Sequence, residues 1–285
     1  MKLRSSLLPA LAGAAIALAS CSSQQPEVKS VNVAEARQNL ETVAAARILL
    51  GHQSVGRDVL AGVKSLADET GVPLRIEEIP GGVPADDGPG LFHARIGKNG
   101  DPESKCQAFS SLLNRAERPR YDLAMMKFCY VDLAGDTLAQ ATAMLERYSR
   151  LVSALRAERP DVRLMHVSIP LRAERQGWKV SIKRMLGRDI PEDRDNELRN
   201  AFNDGLRQRY SSEPFFDLAQ AESTHADGSR SSVTQDGRTV YTLSREYTHD
   251  GGHLKPDAQR LIAAEFLRTV ATALRHQEQF TRDSG

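Results

Sequence analysis

Arg47-Ile48-Leu49-Leu50-Gly51-His52-Gln53-Ser54-Val55-Gly56 is the stretch from which the fold is read. Ile48-Leu49-Leu50 is a short apolar run closed by glycine, the pattern of a strand covered on both faces. Beyond it Val55, Val59, Val63 and Leu66 recur at intervals of three and four. They predict an amphipathic helix over Val55–Thr70, stopped by Gly71. A buried strand feeding straight into a helix is the opening unit of a parallel α/β sheet.

The alternation continues on both sides. Helical spacing covers Val33–Ala46, Pro102–Arg118, Thr137–Glu158, Pro191–Tyr210 and Pro256–Leu274. Strand signals fall at Leu74–Ile79, Asp122–Phe128, Val162–Ile169 and Pro214–Leu218, and Thr239–Leu243 reads as a hairpin arm after Asp236-Gly237. The prediction is a three-layer α/β/α sandwich around a mostly parallel five-stranded sheet, flavodoxin-like in plan and joined by right-handed crossovers. No linker divides the chain, so residues 33–285 are read as one domain. Sites in such sheets form at the carboxyl ends of strands. That directs attention to Gly51–Gly56, Lys127–Asp132 and the loop before the last helix.

The 285 residues are 40% hydrophobic and 26% charged with a formal charge of +1, which excludes collagenous and disordered chains. The balance also excludes a strongly basic nucleic-acid binder, because no surplus of cations exists to displace condensed counterions. Residues 1–20 hold Lys2, Arg4 and no acid, and Leu7–Ala19 is apolar but too short to span a bilayer comfortably, as in a signal peptide. The stretch ends Leu18-Ala19-Ser20-Cys21, which resembles the bacterial lipobox. The resemblance implies cleavage before Cys21, lipidation of its thiol, and residues 21–32 as lipidated cysteine and tether. Ser22 after the cysteine favours an outer-membrane anchor facing the periplasm. Cleavage leaves 36 basic against 37 acidic side chains. Cys106 and Cys129 are then the remaining thiols, and an oxidising compartment would permit them to pair.

Two segments carry candidate chemistry. Ser54 sits where a strand becomes a helix. There it either caps the helix or presents its hydroxyl beside unpaired N–H groups that favour a developing anion. Thr248-His249-Asp250-Gly251-Gly252-His253-Leu254-Lys255-Pro256 precedes the closing helix. A carboxylate at 250 can accept the imidazole N–H of residue 253, fix its tautomer and stabilise imidazolium as it takes a serine proton. A structural, solvated histidine is the plainer alternative. A metal reading would use His249 and His253 as i, i+4 ligands, with Asp250 and His225 in support, but Gly251-Gly252 oppose the helix that this spacing needs. No metal and no cofactor are expected.

From about Arg47 to Leu274 the chain resembles the SGNH hydrolases, the GDSL-like esterases, and among them bacterial lipoproteins that begin Gly-His-Gln-Ser-Val-Gly. The resemblance implies Ser54 as nucleophile, and Asp250 with His253 as the orienting acid and the base. It also implies an oxyanion-hole glycine in Ile96-Gly97-Lys98-Asn99-Gly100-Asp101-Pro102, with Gly100 first and Gly97 second. Two departures stand out. The usual Gly-Asp-Ser is absent, and in Lys127-Phe128-Cys129-Tyr130-Val131-Asp132 a valine falls where the family has its oxyanion-binding asparagine. Asn99, Gln53 and Tyr130 are the candidate substitutes, with Lys127 as added positive charge. The implied function is a serine esterase acting on a small or carbohydrate-borne ester, such as an O-acetylated glycan, at the cell envelope. The alternative is an impaired binding or assembly protein for envelope polysaccharide. Trp178 and Tyr130 could form a sugar-stacking wall, and Asp193–Asn196 reads as a solvated helix face.

Overall fold

The computed structural model describes residues 30–80, 84, 86–115, 120–186, 188 and 190–283; the leader and Cys21 lie outside the described residues. In chain order the main sheet and its helices are α1 (Val33–Ala44), β1 (Arg47–His52), α2 (Val55–Thr70), β2 (Ile76–Glu78), β3 (Gly90–Arg95), α3 (Pro102–Leu113), β4 (Leu123–Met126), α4 (Leu138–Glu158) and β5 (Arg163–Val167). There follow α5 (Trp178–Met185), α6 (Pro191–Arg209), β6 (Phe215–Phe216), α7 (Leu218–Ser223), the hairpin β7 (Ser232–Gln235) and β8 (Arg238–Tyr241), and α8 (Pro256–Asp283).

The central sheet has six strands in the order β2-β3-β1-β4-β5-β6, and every pairing in it is parallel. The expected five strands are corrected by β3, which lies between β2 and β1. Its signal is weak because it follows the Pro-, Gly- and Asp-rich stretch 80–89 and because His93 and Arg95 interrupt its apolar run. The α5 helix was likewise not predicted. The expected hairpin is present, with Asp236 (φ 48°) and Gly237 (φ 75°) at its turn. Both positive φ values are those of a type I′ turn, whose twist matches that of the strands.

Alternation along the strands builds two cores. Ile48, Leu50 and Met125 pack with Leu40 of α1, Val59 and Val63 of α2, and Ile262 and Phe266 of α8. Leu49, Ala124 and Met126 face the other way, onto Phe109 of α3, Tyr148 of α4 and Phe202 of α6. The three layers of the sequence reading are therefore present. Cys106 and Cys129 are buried free thiols, and burial pushes the Cys106 thiol up to about 12.

One packing detail bears on the site. A methyl group at Gly62 of α2 would stand 2.1 Å from the Gln259 carbonyl oxygen of α8, so glycine lets these two helices touch backbone to backbone. The start of α2 and the loop entering α8 are thereby held in fixed register.

Candidate active site

Because the strands are parallel, the segments following β1, β3 and β4 emerge along one rim. The β1 strand delivers Gln53 and Ser54. Ser54 is the N-cap residue of α2, yet its side chain makes no capping bond, and its own N–H has no partner among the described residues. The capping alternative is set aside on that geometry. The hydroxyl stands free at the positive end of a 16-residue helix.

The loop before α8 carries the histidine. Asp250 Oδ2 accepts His253 Nδ1 at 2.6 Å, while Asp250 Oδ1 accepts the N–H of His253 at 2.8 Å, that of Gly252 at 2.9 Å and the Thr248 hydroxyl at 3.3 Å. Burial disfavours the Asp250 carboxylate, but the His253 ring, the two N–H groups and the imidazole's charge together hold it well below the usual range. With Nδ1 engaged, Nε2 is the nitrogen left for proton transfer. The loop is not helical, so His249 and His253 lack the shared helix face that the metal reading needed.

A residue absent from the sequence reading joins these two elements. Asp58, one turn beyond Ser54 on α2, accepts the Leu254 N–H through Oδ2 at 3.1 Å. Burial raises its carboxyl above the ordinary range, against the pull of that N–H, His253 and Lys127. The i, i+4 spacing of Ser54 and Asp58 was the available signal. Asp58 pins the loop next to His253 onto the first turn of the helix that Ser54 opens.

The second and third blocks depart from expectation in their donors. The Gly100 N–H, first choice for the oxyanion, donates instead to Asp132 Oδ1 at 2.8 Å. Gln53 spends both amide protons, on the carbonyls of Ile96 and Gly97 at 3.0 Å each, and so acts as a clamp between the β1 and β3 rims. Lys127 is buried; its ammonium donates to the Phe128 carbonyl at 3.0 Å and meets Cys129 Sγ at 3.6 Å, and burial lowers its pKa. Asn99 accepts from Lys105 Nζ at 3.1 Å through Oδ1, which leaves its amide N–H groups available. Gly97 has φ 53°, and a Cβ there would lie 2.5 Å from the backbone nitrogen of Lys105. The Gly97 N–H is unpartnered among the described residues. Among the described residues, Ser54, Gly97 and Asn99 thus keep unengaged donors at this rim.

Asp132 organises the block around it. It accepts Lys105 Nζ on both oxygens (2.5 and 2.8 Å), together with the N–H groups of Gly100 and Cys129. Val131 packs partly buried against the α8-side core. Tyr130 lies edge-on to His253 with ring centroids 6.2 Å apart, and the Arg172 guanidinium sits 5.0 Å over its ring. Trp178 stands exposed on α5 while Tyr130 is buried beside His253, so the two do not present one stacking face.

Arg172 belongs to a further support that the sequence reading placed on the surface. Asp193 and Asn196 are buried, not solvated. Three asparagines of α6 turn inward, and each makes a reciprocal pair of bonds with one backbone residue: Asn196 with Arg172, Asn203 with Ile169, and Asn200 with Tyr241. Through the Arg172 segment this support reaches the histidine loop, since the Ala173 N–H donates to the Gly251 carbonyl at 3.0 Å. At the far side of β1, His52 Nε2 meets His93 Nδ1 at 3.1 Å, and burial, then the charges of His93 and Lys127, bring the His52 pKa down to about 3.

No protein-family model matches the chain, and no curated protein matches it. Among solved structures it is similar to the inhibitor-bound aryl esterase of M. Smegmatis (15% identity over 80% of this chain and 100% of that one, TM-score 0.45). It is also similar to a carbohydrate esterase family 3 structure from Talaromyces cellulolyticus (12% identity, 81% and 99% covered, TM-score 0.44). A third is the periplasmic domain of a lipopolysaccharide acetyltransferase of Salmonella ser. Paratyphi A (9% identity, 85% and 90% covered, TM-score 0.45). At these identities the likeness is one of chain fold.

Proposed function

We propose that this chain is a serine ester hydrolase of the SGNH type, acting on a small or carbohydrate-borne ester such as an O-acetyl group at the cell envelope, where lipid on Cys21 would anchor it. The observation that carries the reading is the Asp250–His253 pair, whose loop is bonded through Leu254 to Asp58, one turn from the uncapped Ser54 hydroxyl.

In the first half-reaction Ser54 Oγ bonds to the ester carbonyl carbon while His253 Nε2 takes the hydroxyl proton. Asp250, held ionised by its N–H donors, stabilises the imidazolium. The carbonyl oxygen becomes an oxyanion, received by the Ser54 N–H and by the unengaged donors of Gly97 or Asn99. The carbon–alkoxide bond then breaks and the alcohol leaves with the proton from His253. In the second half water adds to the acyl-serine, His253 takes and returns its proton, and the carboxylic acid departs.

A fluorophosphonate probe tests this directly. Wild type is expected to label, and Ser54→Ala is expected to lose both labelling and acetyl-ester turnover, the latter by about 10⁶. Absence of labelling in folded wild type would overturn the hydrolase reading. It would leave the polysaccharide-binding alternative, which Val131 and the occupied Gly100 N–H favour.

A further inference from the structure

The α5 helix carries its apolar residues on the outside. Trp178, Ile182, Met185 and Leu186 stand at i, i+4, i+7 and i+8, one stripe along one face. Such a stripe ordinarily packs onto a core, yet here these side chains are 70%, 42%, 80% and 57% exposed. A contiguous apolar face left in water marks a docking surface.

The charges around it select the partner. Gly177–Arg188 contains Lys179, Lys183, Arg184 and Arg188 and no acid, in a chain whose net charge is only +1. Lys179 and Lys183 lie one turn apart along an edge of the stripe, and Lys179 Nζ sits 5.5 Å over the Trp178 ring. An apolar face edged by lysines and headed by tryptophan is the make-up of a helix that lies flat in a bilayer interface. The indole rests at headgroup level, the aliphatic side chains reach the acyl boundary, and the lysine stems extend to phosphates. Anionic headgroups complement the local surplus of cations.

We propose that α5 docks this protein on an anionic lipid bilayer, with the Trp178–Ile182–Met185–Leu186 stripe entering the interface and Lys179 and Lys183 meeting headgroup phosphates. The segment leading into α5 touches the histidine loop: the Ala173 N–H donates to Gly251 and Arg172 Nη2 to the Asp250 carbonyl. The proposal concerns binding alone and stands whether or not Ser54 is a nucleophile.

The chain has a single tryptophan, Trp178, so its emission reports on α5 and not on membrane contacts made elsewhere. The full chain is titrated with vesicles of phosphatidylcholine, with and without phosphatidylglycerol, including brominated acyl chains. The expected result is a blue shift and bromine quenching that depend on phosphatidylglycerol. Ile182→Ser/Met185→Ser/Leu186→Ser is expected to abolish the shift. Lys179→Gln/Lys183→Gln is expected to weaken binding by roughly fivefold per lost cation. Unfolding temperatures should stay unchanged, since these side chains lie outside the core. No shift at any phosphatidylglycerol content, an equal shift on neutral vesicles, or a shift that survives the triple serine variant would overturn the proposal. A shift that grows with protein concentration in the absence of vesicles would assign the stripe to a second copy of the chain and overturn it as well.

Discussion

Two carboxylates on the same rim of the sheet are solvated by the protein in nearly the same way and are suited to opposite tasks. Asp132 and Asp250 each accept two backbone N–H groups and a cationic or cation-forming side chain. Asp132 and its partner Lys105 are sealed, with 0% of either side chain accessible, whereas Asp250 and His253 are 56% and 43% accessible. A sealed pair has a fixed partner and no face towards solvent, so it can hold two loops together but cannot reach a substrate. An open pair has lost little solvation, and its imidazole can accept and release a proton while its carboxylate stays charged. Number of hydrogen bonds does not separate structure from chemistry here; access does.

The largest effect should come from the open member. Asp250→Asn removes the charge and favours the wrong imidazole tautomer, so ester turnover is expected to fall by about 10⁴, and with the charge goes the part of the stability that the depressed Asp250 pKa contributes, a smaller loss than at the sealed member. Steady-state kinetics beside denaturant unfolding read both quantities, and a wild-type rate in the variant would remove Asp250 from its role. The sealed member should behave conversely. Asp132→Ala leaves the Lys105 ammonium buried without a counter-charge and frees the Gly100 and Cys129 N–H groups. Its expected cost is about 3–5 kcal/mol of unfolding free energy. If Asp132→Ala unfolds at the wild-type denaturant midpoint, the contrast between the two carboxylates fails.

The contrast also marks what sequence can and cannot reveal. The pairing of Asp250 with His253 and the place of Ser54 at a helix start were legible because each lies in a loop beside glycine or at a strand-to-helix junction, where polar side chains have few packing roles. The two cores were legible because apolar period reports burial. Burial of polar side chains has no such period. Asn196 and Asp193 stand in a charged run and read as surface, yet α6 turns its asparagines inward to satisfy backbone groups of three other segments. The engagement of the Gly100 N–H by Asp132 is hidden from sequence for a related reason. A free N–H and one donated to a carboxylate 32 residues away are identical in sequence. The β3 strand was missed because His93 and Arg95 break its apolar run, although its partner strand supplies the hydrogen bonds regardless of side chain.

A third carboxylate sharpens the comparison and carries the smallest expected effect. Glu222 is as sealed as Asp132 but has no lysine on it: the Leu171 N–H reaches Oε1, and Oε2 has no hydrogen-bond partner among the described residues. Burial, countered by that N–H and by the charges of Lys127 and Arg199, pushes its carboxyl up to about 8 from an ordinary 4.5. The folded state therefore holds a proton that the unfolded chain releases. The stability associated with that proton is complete below about pH 4.5 and is lost as pH rises towards 8. Glu222→Gln keeps an acceptor for Leu171 and has no proton to lose. Measured by denaturant unfolding from pH 5 to pH 8, the variant should gain on wild type by on the order of 3 kcal/mol across the interval. Parallel stability curves would mean that Glu222 is ionised in the fold and paired with Lys127, making it a second Asp132.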